Sequence, residues 1–170
     1  MDTAQILDGD NIIAGGDGQE QYLTFMLAGE EYGVDILRVQ EIKGWDSATR
    51  IPNTPDYVQG VINLRGTIVP IIDLRMRFDL EKLEYGPTTV VVVLKATSDN
   101  KERTMGIVVD GVSDVYSIGD GELKPAPEFG EDINAEFVKG LATVGEKMVI
   151  MLDIDRLLVR MIIVTTKYAG

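Results

Sequence analysis

Apolar residues recur with a period of two through most of the chain, the spacing of strands that bury one face. Leu23, Phe25 and Leu27 alternate with Tyr22, Thr24 and Met26, the segment from Ala28 to Glu31 turns the chain, and Tyr32, Val34 and Ile36 resume the alternation, which predicts an opening β-hairpin. Short Val- and Ile-rich runs predict further strands from Val58 to Ile62, Thr67 to Ile72, Thr88 to Lys95, Thr104 to Val109 and Lys147 to Leu152. Helical signals are fewer: Ile36 to Ile42, a turn around Ala135 to Lys139, and Ile154 to Met161, where Ile154, Leu157, Leu158 and Met161 share a face behind a capping Asp153. The β-branched stretch after Arg160 fits helix or strand equally and is left unassigned. Many short strands with Gly and Asn punctuation predict a mainly β fold, a barrel or a sandwich.

The pattern also repeats. Gly33, Val34, Val39, Gln40, Glu41 and Ile42 recur in spacing as Gly106, Ile107, Val112, Ser113, Asp114 and Val115, and Val58, Gly60, Val69 and Asp73 recur as Val138, Gly140, Val149 and Asp153. The two blocks keep their order, so the chain reads as two similar β-subunits joined near Leu83 to Pro87. Each buries a modest core alone and depends on the other for the rest, and the seam between them is a natural place for a binding groove.

Composition narrows the function. The chain has 170 residues, 28 acidic against 16 basic, a net charge of −12, no cysteine and no histidine. Such a negative surface repels phosphate backbones and anionic lipid, which argues against nucleic acid as a partner. Without histidine the commonest general base, metal ligand and phosphoryl acceptor are missing, and without cysteine there is no thiol nucleophile or disulfide framework, which fits a reducing compartment. Even an apolar run such as Val90 to Leu94, which no other exceeds, is far short of the about 20 residues that span a bilayer, so no direct membrane insertion is expected. Residues 1–20 carry Asp2, Asp8, Asp10, Asp17 and Glu20 with no Lys or Arg and read as a flexible acidic tail rather than a signal peptide.

Local motifs supply candidate contacts. Asn63-Leu64-Arg65-Gly66 lies between two strands and puts Arg65 on an exposed turn, either as an ordinary solvated cation or as a guanidinium that pairs bidentately with a partner's carboxylate. Pro70 lacks a ladder donor, which predicts that its strand is an edge or contains a bulge. In Lys124-Pro125-Ala126-Pro127-Glu128-Phe129, two prolines stiffen a segment that presents Phe129, either as an anchor for a partner or as a plug over a barrel end. Val39 and Val115 lie beside Glu41 and Asp114 and read as core or as a shallow apolar strip edged by acids. Asp73 and Asp153, each after an apolar strand, read as helix caps before they read as a catalytic or metal pair. Asp8-Gly9-Asp10-Asn11 lacks the later ligands of a calcium loop, and Gly15-Gly16-Asp17-Gly18 lacks the strand and helix of a phosphate cradle.

Taken together, Glu31-Tyr32-Gly33-Val34-Asp35-Ile36-Leu37 with Val39-Gln40-Glu41-Ile42, Ile51-Pro52-Asn53-Thr54-Pro55, Gly60-Val61-Ile62-Asn63-Leu64-Arg65-Gly66 running into Ile68-Val69-Pro70-Ile71-Ile72-Asp73-Leu74, and the stretch from Gly106 to Val115 resemble the CheW family of chemotaxis coupling proteins. The match runs through residues 21–158, taken as one domain of two intertwined barrel halves with the seam near 83–87, and leaves residues 159–170 uncertain. The resemblance implies two five-stranded, SH3-like β-barrels packed about a shared core with short helices, no catalytic activity and no cofactor. It implies a cytoplasmic adaptor, recruited to membrane receptor arrays, that couples the cytoplasmic tips of methyl-accepting chemoreceptors to the histidine kinase CheA, with CheW self-association as a further contact. By the same resemblance Val39, Glu41, Arg65, Val90 and Val115 face the receptor tip, and Glu128 and Phe129 contact the kinase regulatory domain or another CheW. Two alternatives stay open: an SH3-like peptide-binding module of another signalling pathway, and a carboxylate- or metal-dependent enzyme using Asp73 or Asp153.

Overall fold

The computed structural model describes residues 19–81, 83–98, 100–125 and 136–157. Along the chain these form β1 (Gln19–Leu27), β2 (Glu30–Asp35), a 3-10 turn (Ile36–Arg38), β3 (Val39–Gly44), β4 (Val58–Leu64), β5 (Thr67–Asp73) and α1 (Leu74–Arg77). There follow β6 (Val90–Ser98), β7 (Lys101–Val109), β8 (Gly111–Gly119), β9 (Leu123–Lys124), β10 (Val138–Val144) and β11 (Lys147–Leu152), then a helical turn, α2 (154–157). The fold is mainly β, as expected.

The strands make a 5-stranded sheet of order β3-β6-β7-β5-β4 and a 6-stranded sheet of order β8-β1-β2-β11-β10-β9. Neither is built from one stretch of chain. The β1–β2 hairpin joins β8, β10 and β11, whereas β6–β7 joins β3, β4 and β5, so the two sequence repeats exchange their hairpins. Matching registers show the equivalence. Gly33 stands opposite Met151 across the parallel β2–β11 contact, and Gly106 opposite Ile71 across β5–β7. Leu23 stands opposite Val115, and Val92 opposite Ile42. The chain crosses from the larger sheet to the smaller at Ile36–Arg38 and returns at Asp110.

Burial explains the strand sequences. Val91, Val93, Val69, Ile71, Val108 and Leu64 bury one another on one face of the smaller sheet, which requires that sheet to curl into a barrel. Tyr22, Ile118, Ala142, Val149 and Met151 do the same in the larger sheet. The opposite faces meet in a shared core that includes Leu23, Phe25 and Leu27 from one sheet and Val92, Leu94 and Ile107 from the other. β6 is therefore covered on both sides, and its unbroken run Val90 to Leu94 is the signature of such a strand.

Several elements differ from the sequence expectation. Ile36 to Ile42 is a 3-10 turn followed by a strand, because Val39 and Ile42 are β-branched and find a partner in β6. β8 and β10 were not anticipated: Ser113, Asp114 and Ser117 interrupt the apolar alternation of one, and Lys139 and Gly140 that of the other. The turn expected around Ala135 to Lys139 is a 3-10 turn at residues 136–137 that runs straight into β10. Pro70 does not mark an edge, since β5 lies between β7 and β4, and the bulge is in β4, between Val58 and Gly60. Val61, opposite Pro70, spends its N–H and C=O on Thr49, so the Pro70 nitrogen faces β7, where the parallel ladder begins only at Ile71. In the other repeat the equivalent Ile150 is already paired, with Tyr32.

Two substitutions test these constraints. A Cβ on Gly60, at φ +132°, would sit 2.1 Å from the Thr49 carbonyl oxygen. Gly60→Ala is expected to cost roughly 2–4 kcal/mol in urea unfolding. Tyr85 donates its hydroxyl to the Asp73 carboxylate. Burial first, and that hydrogen bond second, raise the Tyr85 hydroxyl well above its ordinary pKa of 10.0. The folded state thus holds this proton more tightly than the unfolded state, and the associated stability is complete below pH 10.0 and declines as pH rises past it. Tyr85→Phe is expected to be about 1 kcal/mol less stable near neutral pH. The gap to wild type should close by about pH 11, measured by urea unfolding at both values.

Candidate functional site

The repeated Val-x-acid-aliphatic blocks fall on β3 and β8, at matching places in the two sheets. The Asp35 carboxylate accepts the Leu37 N–H at 3.0 Å and ends β2; Ile36 then plugs into the core while Leu37 is 75% exposed. The chain re-extends with Val39 opposite Leu94 and Ile42 opposite Val92, with a bulge between Val39 and Glu41. On β8, Val112 stands opposite Phe25 and Val115 opposite Leu23, with the register shift at the equivalent place. Val39, Ile42, Val90, Val112 and Val115 are all half-buried against the shared core.

The five residues expected to meet the receptor tip are thus brought together only in part. Val39 and Val115 occupy β3 and β8 over the same core, one from each sheet. Val90 pairs with Gly44, at the other end of the β3–β6 contact, roughly 13 Å along the strand from Leu94, the partner of Val39. Glu41 is opposite Val93, whose side chain belongs to the barrel interior rather than to the shared core. Arg65 reaches Glu41 with two hydrogen bonds, Nη1 to Oε1 at 3.1 Å and Nη2 to Oε2 at 3.4 Å. The guanidinium that the sequence offered to a partner's carboxylate is therefore already paired within the chain. Glu128 and Phe129 lie outside the described residues.

Backbone geometry aims Arg65. The β4–β5 connection is the two-residue loop Arg65–Gly66, with φ of +50° and +90°, and the Asn63 side-chain oxygen accepts the Gly66 N–H at 2.7 Å. Two consecutive positive φ values are those of a primed hairpin turn, whose twist matches the flanking strands. Leaving the left-handed region would cost Arg65 the hairpin register, so its side chain departs from a fixed backbone.

The bulge on β8 has a polar support that β3 lacks. Thr24, fully buried, lies with Oγ1 3.2 Å from both the Asp114 nitrogen and its carbonyl oxygen, and 3.1 Å from Glu31 Oε1. The equivalent of Thr24 in the other repeat is Val93, since each pairs with the repeated glycine, Gly33 or Gly106. Ile42 and Val112 were not singled out in the sequence, although the repeat equates them with Val115 and Val39. The repeated block itself was the signal. The support from Thr24 left no signal, because threonine is common in strands.

The carboxylates of the enzymatic alternative are otherwise engaged. Asp73 Oδ1 accepts the Met76 N–H and Asp153 Oδ1 the Arg156 N–H, each at 3.1 Å, so both cap the helical turns that follow them. Asp155 is bound to Arg38 at 2.9 Å. The Asp8 and Gly15 motifs lie outside the described residues. Among the described residues no helix is long and apolar enough to cross a membrane.

The side chain of Arg65 is 67% exposed. An ion pair in that setting is screened by water, so Arg65→Ala is expected to change unfolding free energy by less than about 1 kcal/mol, measured by urea denaturation. Any larger effect on binding then reports contact rather than folding.

A family model described as the CheW-like domain matches residues 21–161. The chemotaxis protein CheW of Klebsiella aerogenes is 51% identical over 146 residues, 86% of either chain. That of Rhizobium meliloti is 33% identical, over 82% of this chain and 87% of its own. Among solved structures, the scaffolding protein TtCheW of Thermoanaerobacter tengcongensis superimposes with a TM-score of 0.74 at 33% identity, covering 85% of this chain and 90% of that one. With its fold and its sequence in agreement, this chain belongs to the CheW-like family.

Proposed function

We propose that this protein is a chemotaxis adaptor that couples methyl-accepting chemoreceptors to the histidine kinase CheA, so that receptor state controls kinase activity. The observation that carries this reading is the half-buried apolar strip to which both repeats contribute, Val39, Ile42 and Val90 from one sheet and Val112 and Val115 from the other. A receptor tip is a helical hairpin, and a helix laid into an apolar groove is held by a few aliphatic anchors with charged groups at the rim. Val39, Val90 and Val115 are the anchors in this reading. Glu41 and Arg65 form the polar end, where a partner's charge competes for a guanidinium already oriented by Glu41.

The adaptor has no catalytic step and needs no cofactor in this reading; it works by position. Each contact is modest, and repetition across an array supplies avidity. Glu128 and Phe129 are assigned to a contact with the CheA regulatory domain or with a second CheW. The protein works in the cytoplasm and reaches the membrane through its receptors.

Co-sedimentation with receptor-containing membranes and CheA tests the proposal. Wild-type protein is expected to be recruited and to activate the kinase, and Arg65→Glu to bind at least about tenfold more weakly. Full recruitment and activation by Arg65→Glu would remove Arg65 from the interface. No recruitment of wild type would sink the adaptor reading itself.

A further inference from the structure

Two ion pairs stand where the chain passes between the sheets, and their polarity is opposite. At the crossover from β7 to β8, Arg75 of α1 donates to Asp110 through Nε and Nη2, each at 3.0 Å, and Asp110 Oδ2 also accepts the Ala28 N–H of the β1–β2 hairpin at 2.9 Å. At the crossover from β2 to β3, Arg38 donates to Asp155 of α2 at 2.9 Å, and Asp155 Oδ1 accepts the Thr97 N–H of β6 at 3.1 Å. Each clasp thus gathers a crossover, the helical turn after the last strand of one repeat, and a hairpin of the sheet to which that strand does not belong.

The repeat makes these clasps equivalent. Arg75 and Asp155 each lie two positions after a capping aspartate, Asp73 or Asp153. Arg38 and Asp110 occupy neighbouring positions of matching crossovers, Asp110 aligning with the exposed Leu37. Both arginines come from the first repeat and both aspartates from the second. Pairing two first repeats would set Arg38 against Arg75, and pairing two second repeats would set Asp110 against Asp155. The apolar core discriminates poorly between these arrangements, because its equivalent positions hold similar side chains: Leu23 and Val92, Phe25 and Leu94, Val34 and Ile107. Charge is directional in a way that apolar burial is not.

We propose that the Arg38–Asp155 and Arg75–Asp110 clasps are the recognition code by which the first repeat selects the second, disfavouring assembly of like with like. The side chains involved are only 15–40% exposed, so repulsion between like charges there is less screened than at a free surface. This inference is independent of the adaptor's partners.

The test uses the full chain in three forms: an all-acidic variant, Arg38→Asp with Arg75→Asp; an all-basic variant, Asp110→Arg with Asp155→Arg; and all four substitutions together. The two double variants shift net charge in opposite directions, yet both are expected to unfold on the order of 10 °C below wild type. The fourfold exchange, which restores the net charge of −12, is expected to recover most of that loss. Co-refolding the two double variants from denaturant should yield a heterodimer, seen by native mass spectrometry, in which each first repeat pairs with the other copy's second repeat. Double variants that unfold with wild type, or co-refolding that gives only homomeric species, would overturn the code. If a double variant fails to fold, Arg38→Asp, Asp155→Arg and their combination replace it, and failure of that combination to recover stability over the single changes has the same force.

Discussion

The shared apolar core sets the terms for everything else in this molecule. Each sheet has two apolar faces: one rolls inward around its own small barrel cluster, and the other has no cover except the opposite sheet. Burying a side chain such as Leu23, Phe25 or Leu94 is worth about 1.5–3 kcal/mol, and the core gathers many of them. Neither sheet provides that burial alone. The exchange of hairpins between repeats adds backbone hydrogen bonds to the dependence, because removing either half would strip strands from both sheets.

Binding follows from the way this core reaches the surface. β3 is an edge of one sheet and β8 of the other, so both are paired on one side only, and their valines and Ile42 close the core without being fully covered. A strip of this kind is stable in the free protein yet still has apolar area to offer. Polar groups on the same two strands and on the β4–β5 turn are tied down: Arg65 by a left-handed turn and by Glu41, the Asp114 backbone by Thr24, and the Asp114 carboxylate by the Val115 N–H. Pre-orientation of this sort lowers the ordering cost of an encounter.

Polarity also separates the repeats where their backbones coincide. Val93 fills the smaller barrel, whereas its equivalent Thr24, with Glu31 beside it, places polar atoms in the larger one. At the crossovers the first repeat supplies cations and the second anions. Two near-copies of one backbone have thereby become complementary rather than interchangeable, which suits a chain whose halves must find each other.

Much of this was legible from residue order alone. Alternation at Leu23, Phe25 and Leu27, the doubly covered run of β6, the spacing of Gly33 and Gly106, and the capping role of Asp73 and Asp153 are local or periodic properties, and short-range sterics and burial dictate them. The repeated blocks holding Val39 and Val115 read as core or as a shallow apolar strip, and both valines are half-buried against the shared core. What the sequence could not carry is pairing between distant strands. β3 reads as a helix until β6 lies beside it, β8 has too many polar residues to read as a strand until Thr24 satisfies its bulge, and Pro70 reads as the mark of an edge or a bulge until Val61 is seen bonded to Thr49. Tertiary structure alone decided that the hairpins are exchanged, that Arg65 is already held by Glu41, and that Arg38 meets Asp155. Each of these depends on which surfaces come together, a property of two separated segments that no local pattern in either one records.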